Sequence, residues 1–189
     1  MSDRVYCYPG TDILKNKLEI KEQNELNKFE RRLTMLRLTE LINNPVQGSF
    51  DLKHLQKIHK YIFQDIYDWA GEIRKVDIAK DNMFCNVKFI YIQADEIFKN
   101  LRKDNYLAGL SKDEFAKKLA WYFSEINALH PFREGNGRAQ REFARTLSVK
   151  NGYILKFANV SKEEMIRASK TSFLCDYTGM EIIFSKCIE

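Results

Sequence analysis

Residues 130–141 read HPFREGNGRAQR and separate two segments with strong helical patterns. Before this stretch, Ser111 and Glu114 form a capping-box pattern that predicts the start of a helix continuing to Leu129. After it, a second helix is predicted over 137–149, because the Asn-Gly pair that follows soon after is typical of a helix end. The sequence therefore predicts two helices joined by a short loop that contains glycines.

The N-terminal half carries two further helical patterns. A stripe of leucine and phenylalanine side chains, separated by charged residues, predicts a helix over about 21–41. The stripe consists of Leu26, Phe29, Leu33, Leu36 and Leu41. A second amphipathic helix is predicted to begin near Leu52 and to run towards Trp69. Both helices are expected to turn their apolar faces to a common core.

The segment 74–92 differs from its surroundings, because apolar and polar residues alternate on either side of a turn-forming Asp81-Asn82 pair. This pattern predicts a short β-hairpin. Helices are predicted again over 92–101 and after Ser161, where a second capping-box pattern occurs. We therefore predict a mainly α fold with one small hairpin.

Composition excludes several classes of protein. The longest uninterrupted apolar run, residues 119–123, is far shorter than the ~20 residues that a membrane span requires. The formal net charge is only +5 and is spread along the chain, and no basic run interleaved with aromatic residues indicates nucleic-acid binding. The 4 cysteines are scattered and form no C-x-x-C pair, which is typical of free thiols in a reducing compartment. These observations predict a cytoplasmic protein with no membrane or nucleic-acid partner.

The loop between the two central helices has the features of a phosphate site. Pro131 disfavours helical geometry at His130, so the imidazole is expected to face a cleft at the helix end. Gly135 and Gly137 allow the backbone to approach a ligand closely, and the next helix directs the positive end of its dipole towards the same point. The sequence therefore predicts an anion hole beside a histidine.

Charged side chains of the same stretch fit a nucleotide. Arg138 and Arg141 are three residues apart on one helix face, where both can contact phosphate oxygens. Glu134 supplies an oxygen ligand for Mg²⁺ beside those phosphates. Taken singly, each residue has an ordinary interpretation as a packed or solvated side chain, but their combination favours phosphate handling. His54 and His59 lie five residues apart, which does not match a helical metal pair, and we predict that both are structural.

The stretch 130–141 resembles, at every fixed position, the Fic family signature H-x-F-x-[DE]-G-N-G-R-x-x-R. Residues 66–74, IYDWAGEIR, resemble the approach to the flap of that family. The resemblance covers about 50–169, within a single predicted domain of 189 residues that has a leader over 1–20 and C-terminal helices over 161–189. The leader also resembles the start of Fic domains in bacterial toxins and in translocated effectors of the Bartonella type, which implies that the protein acts in the cytoplasm or is translocated into a host cell.

The resemblance implies transfer of AMP from ATP to a Tyr, Thr or Ser hydroxyl of a target protein, with release of pyrophosphate. His130 is then the general base and Glu134 the Mg²⁺ ligand. The nucleotide-binding residues that it implies are Gly135, Asn136, Gly137, Arg138 and Arg141. The Asn136 side chain is expected to stabilise phosphate charge in the transition state, and Phe132 is expected to anchor the loop in the core.

The resemblance also assigns a role to the predicted hairpin. In this family the flap pairs with the target segment as an added strand. The corresponding residues are Lys80, Asp81, Asn82, Met83 and Phe84. An ordinary exposed lysine is an equally good interpretation of Lys80 taken alone.

One regulatory motif of many Fic proteins, [ST]-x-x-x-E-[GN], is missing from the sequence. Residues 172–177, SFLCDY, approach it most closely, with Asp176 in the position of the glutamate. The resemblance therefore implies a small separate antitoxin that supplies an inhibitory glutamate to Arg141.

Two other functions remain as alternatives. The first is kinase-like phosphate transfer, as in the related Doc toxins, but those proteins typically carry Ala and Lys where this chain has Gly135 and Gly137. The second is a non-catalytic binding module with the Fic fold. An intact signature argues against it, because a binding module has no use for the full set of catalytic residues.

Overall fold

The structure, a computed structural model, describes residues 4–79 and 83–189, and these ranges contain seven α-helices. The helices are α1 (Gln23–Asn43), α2 (Leu52–Phe63), α3 (Ile90–Lys103), α4 (Lys112–Leu129), α5 (Asn136–Lys150), α6 (Lys162–Ser172) and α7 (Thr178–Cys187). Short 3₁₀ turns lie at 87–89, 105–107 and 157–159. The prediction of a mainly α fold is confirmed.

Helix α4 lies at the centre and packs against α3, α5 and α7, while α2 packs against α5 and α1. One apolar cluster joins these helices. Phe132, in the loop between α4 and α5, is completely buried in it, which confirms that this residue anchors the loop. Burying such a side chain contributes roughly 1.5–3 kcal/mol, so the core fixes the loop as well as the helices.

Several helix boundaries follow from the predicted capping residues. Both capping boxes are present: Ser111 pairs with Glu114 at the start of α4, and Ser161 pairs with Glu164 at the start of α6. Helix α5 begins at Asn136, one residue earlier than predicted, after a left-handed Gly135. Helix α2 ends at Phe63 and does not continue to Trp69.

The apolar stripe predicted for α1 is only partly buried. Leu26 and Leu41 are almost completely inaccessible, whereas Phe29 and Leu36 are 37% and 54% exposed. Helix α1 lies at the edge and packs along α2, so one flank alone is covered. Part of its inward flank is instead polar, with a buried Thr34 beside the signature loop.

The predicted hairpin segment contains no strand in the described residues of 74–92. An isolated antiparallel bridge joins Ala79 and Met83, and the Phe84 N–H donates to the Ile78 carbonyl over 3.4 Å. The prediction was wrong from residue 87 onward, where a 3₁₀ turn leads directly into α3. The hairpin itself stays a prediction, because Lys80, Asp81 and Asn82 lie outside the described residues.

Two further predictions concern the state of the cysteines and the presence of membrane-spanning helices. No disulfide links the cysteines within the described residues, which include Cys7, Cys85, Cys175 and Cys187. Among the described helices, none combines the length and the apolar character needed to cross a lipid bilayer.

Candidate active site

His130 caps the C-terminus of α4 in the left-handed conformation, with φ 44° and ψ 60°. The following proline disfavours helical geometry at this residue, as the sequence predicts. Its Nδ1 lies 3.2 Å from the Asn127 carbonyl, and its ring stacks on Phe84 with centroids 3.7 Å apart. The tautomer that satisfies the carbonyl carries its proton on Nδ1, so Nε2 is the basic nitrogen.

The loop after His130 is braced by Asn136. Its side-chain oxygen accepts from the Phe132 N–H over 2.8 Å, and its amide nitrogen donates to the Phe132 carbonyl over 2.7 Å. Asn136 is 6% exposed. This geometry differs from the expectation that its side chain contacts phosphate, since the carboxamide is used inside the loop.

His59, on α2, contacts the same loop through its imidazole ring. The Gly71 N–H donates to its Nδ1 over 2.8 Å, so Nε2 carries the proton and donates to the Glu134 carbonyl over 2.9 Å. Its ring stacks on Phe132 with centroids 3.9 Å apart. Burial lowers the pKa of His59 to about 3, so the imidazole is neutral at physiological pH. The structural role predicted for His59 is thus a direct contact with the signature loop.

The two glycines of the loop differ in their surroundings. Gly135 has φ +80°, and a Cβ atom there would lie 2.1 Å from the Phe63 ring. A Cβ atom on Gly137 would meet only the flexible end of Arg141, at 3.3 Å. Gly135 is therefore required by packing and by backbone geometry, whereas Gly137 borders an open region.

The start of α5 presents backbone donors to this region. The N–H groups of Asn136 and Gly137 have no acceptor among the described residues, as is usual in the first turn of a helix. The helix dipole adds partial positive charge at the same point. The end of the loop and the first turn of α5 therefore present donors and partial positive charge where the sequence predicts an anion hole.

Arg138 is held by a carboxylate that sequence analysis did not identify. Its guanidinium donates to Glu30 over 2.6 Å and to the Thr34 hydroxyl over 3.2 Å, and it lies over the Phe63 ring at 4.7 Å. Tyr67 donates its hydroxyl to the second oxygen of Glu30. Burial, followed by the Glu30 charge, raises the pKa of Tyr67, so the hydroxyl stays protonated.

Arg141 has a different environment, although it lies one helical turn away. Its side chain forms no hydrogen bond or ion pair within residues 4–79 and 83–189. Burial, with a smaller contribution from the charge of Arg138, lowers the pKa of Arg141. A partly buried guanidinium without an anionic partner favours the binding of an anion.

Glu134 has the features of a metal ligand that completes a mostly phosphate-and-water coordination sphere. Its side chain is 40% exposed, and Oε1 accepts from the Gly135 N–H over 2.8 Å. Oε2 has no partner in the described part of the chain. No group of three or more potential metal-ligating side chains occurs among the described residues. A single available carboxylate fits Mg²⁺ bound mainly by phosphate oxygens.

Two of the five predicted target-binding residues, Met83 and Phe84, lie within the described part of the chain. Met83 is 68% exposed, and Phe84 stacks on His130. The other three, Lys80, Asp81 and Asn82, lie outside the described residues. Asp176 does not act as a substitute for the missing glutamate in this structure, since its carboxylate accepts from the Thr178 N–H at the start of α7 over 3.1 Å.

Comparison with known proteins places the site in a family. The model of the Fic/DOC family matches residues 49–148. The probable protein adenylyltransferase Fic of Escherichia coli K12 is 40% identical over 97% of this chain and 91% of its own length. The protein adenylyltransferase VbhT of Bartonella schoenbuchensis is 42% identical over 91% of this chain, which spans 36% of VbhT.

Solved structures agree in fold. The BepC protein of Bartonella tribocorum, a VirB-translocated effector crystallised with bound AMPPNP, superposes with a TM-score of 0.93 at 28% identity. The similarity covers 98% of this chain and 97% of that chain.

Proposed function

This chain belongs to the Fic/DOC family, and we propose on that premise that it transfers AMP from ATP to a hydroxyl side chain of a target protein. The chain is a protein adenylyltransferase, as its relatives in Escherichia coli and Bartonella are named. The observation that carries the proposal is the juxtaposition of His130 with the N-terminus of α5 across one short braced loop. A base and an anion hole are thereby fixed on opposite ends of that loop.

The proposed reaction uses a general base and a separate set of groups that bind the phosphates. Nε2 of His130 accepts the proton of the target hydroxyl as its oxygen attacks the α-phosphorus and pyrophosphate leaves. The backbone N–H groups of Asn136 and Gly137 stabilise negative charge on the phosphates in the transition state. Arg141 and Arg138 hold the outer phosphates, and Arg138 does so while its guanidinium is paired with Glu30.

Glu134 is the residue that would hold Mg²⁺, through the oxygen that has no partner in the described ranges. The metal supplies neutralisation of phosphate charge when it is bound. Glu134 also fixes the loop by accepting the Gly135 N–H, so this side chain joins loop geometry to metal binding.

The target is expected to align against the predicted flap, residues 80–84. Phe84 covers one face of the His130 ring, which limits the approach of the acceptor to the ring edge. A segment that pairs with the flap backbone would bring its hydroxyl to that edge. Recognition of this kind reads the main chain of the target more than its side chains.

Regulation is expected from a separate antitoxin, because no carboxylate of the described residues contacts Arg141. An inhibitory glutamate from such a partner would compete with the nucleotide for this guanidinium. A groove of about 510 Å³ along α1 is lined by Glu30, Thr34 and Arg138, among others, and provides a place for a short helix. Resemblance to Bartonella proteins supports a role as a toxin or a translocated effector.

The proposed function is tested with ATP labelled separately on the α- and γ-phosphates and incubated with the protein and a cell lysate. We expect α-label on protein, together with free pyrophosphate. Transfer of γ-label would instead identify a kinase-like reaction, and the absence of both would support a binding module.

A further inference from the structure

Arg74 is a completely buried arginine that lies outside the signature and contacts the catalytic histidine through its backbone. Its Nε donates to the His130 carbonyl over 2.8 Å, and the Arg74 N–H donates to the Pro131 carbonyl over 2.9 Å. The side chain and the backbone of Arg74 thus both stabilise the left-handed turn at His130. The orientation of the imidazole depends on this turn.

The same guanidinium also holds both arms of the predicted flap. Nη1 donates to the Val76 carbonyl over 2.7 Å on the outgoing arm, and Nη2 donates to the Cys85 carbonyl on the returning arm. One side chain therefore joins three backbone carbonyls from three segments. Burial lowers the pKa of Arg74, and the nearby Asp77 carboxylate opposes that effect.

Asp77 completes the connection between the arms. Its Oδ1 accepts from the Val87 N–H over 2.7 Å, and Oδ2 accepts from the Asn86 side chain over 2.8 Å. It also lies 3.6 Å from Arg74. We call Arg74 and Asp77 the neck clamp.

The neck clamp replaces the strand ladder that usually closes a hairpin. Beyond it, the described residues supply one long backbone hydrogen bond, from Phe84 to Ile78, and one isolated bridge. Side chains therefore set the spacing of the described arms, 74–79 and 83–87, and few backbone groups of these arms are used between them. A bound segment can pair with backbone groups that the arms do not use between them.

We propose that the neck clamp positions the flap relative to His130, with Arg74 acting on both the base and the target and Asp77 acting on the target alone. Both are positioning residues, because they act through backbone carbonyls and N–H groups of other residues. The inference rests on the proposed function, since it assigns the flap to target binding.

The test uses the full chain, α-labelled ATP and increasing concentrations of lysate protein, and follows the most strongly labelled band. For Asp77→Asn we expect the apparent KM for lysate protein to rise at least about tenfold, with kcat reduced less than about threefold. For Arg74→Lys we expect the apparent KM to rise and kcat to fall, each by about tenfold or more, because one ammonium cannot reach three carbonyls. Affinity for a non-hydrolysable ATP analogue should stay within about twofold in both variants.

Arg145→Lys is the matched control. Arg145 also joins a backbone carbonyl, of Leu41, to a carboxylate, of Glu142, but it does so on the far part of α5. Its replacement should lower thermal stability and leave KM and kcat of the folded protein unchanged. If Asp77→Asn changes KM no more than Arg145→Lys does, the clamp is only structural and the inference is wrong. If the wild-type chain labels no protein, the proposed function itself is overturned.

Discussion

The signature loop and the flap segment are neighbours at one active site, but they are held in different ways. In the loop, Asn136, His59 and the Phe132 ring fix the backbone from three directions through buried contacts. In the described part of 74–87, Arg74 and Asp77 supply most of the connections, and these lie at the neck. Under the proposed function, the base and the phosphate-binding groups are thus preorganised, whereas the predicted flap is held mainly at its neck.

The largest effect that this comparison predicts is on His130. His130→Ala should reduce AMP transfer by about 10²–10⁴-fold, because the positioned base is lost. Nucleotide affinity measured by calorimetry should be nearly unchanged, because the imidazole contacts the acceptor and not the phosphates. His54→Ala is the control, since the His54 ring also contacts backbone hydrogen-bonding groups but lies away from the loop. Transfer within about tenfold of wild type would remove His130 from the base role.

A second prediction tests how rigid the loop is. Gly135→Ala should destabilise the protein by roughly 2–4 kcal/mol, since it combines positive φ with a clash against the Phe63 ring. Gly137→Ala should change stability by less than about 1 kcal/mol, because it meets a flexible side-chain end. Denaturant unfolding of the two variants measures the difference. Equal stabilities would show that the loop and the Phe63 ring make room for the added methyl group.

The third prediction distinguishes the two signature arginines. Arg138→Ala should weaken ATP binding in Mg²⁺ by roughly 1.5–3 kcal/mol, because it removes a charge-assisted contact with phosphate. Calorimetry with Glu30→Gln as the companion variant separates the phosphate contact from the pairing of Arg138 with Glu30, because that variant loosens Arg138 without removing it. Unchanged affinity in Arg138→Ala would mean that Arg138 serves only to join the loop to α1.

The fourth prediction concerns pH. The pKa of His59 is about 3 in the folded chain, below its ordinary value of 6.5, so the unfolded state binds more protons between these values. The stability that neutral His59 contributes is therefore full above pH 6.5 and declines as pH falls towards 3, by up to ~1.4 kcal/mol per pH unit. Unfolding curves of wild type and His59→Gln should converge in this window. Parallel pH profiles would contradict the buried neutral imidazole.

The smallest effect is expected at Asp176. With no carboxylate of the described residues on Arg141, the purified chain should be active as made. Asp176→Ala should leave transfer unchanged, since this carboxylate is engaged with the Thr178 N–H at the start of α7. A large rise in the rate of α-label transfer would show that the C-terminal segment inhibits the site.

Sequence patterns predicted the parts of the molecule that local rules control. Capping boxes located the starts of α4 and α6, and Pro131 located the end of α4 at His130. Sequence patterns did not identify Glu30 as the partner of Arg138, because 108 residues separate the two and only tertiary packing brings them together. The stripe on α1 misled for a related reason, since periodicity gives an apolar face but not how much of it a neighbour covers.

Arg74 shows a further limit of sequence reasoning. Its neighbours in sequence resemble the approach to a flap, but two of its three carbonyl partners, His130 and Cys85, are brought to it only by tertiary structure. A buried arginine is rare, and no local pattern distinguishes it from a solvated one. Carbonyl partners leave no signal in the sequence, because every residue carries one.

The contact of Gly135 with Phe63 constrains how this active site can diverge. An alanine at position 135 would require a smaller side chain at position 63, and that change would remove the ring that lies under Arg138 and beside His59. Positions 135 and 63 are therefore coupled, and a lineage with this core is expected to change them together or not at all.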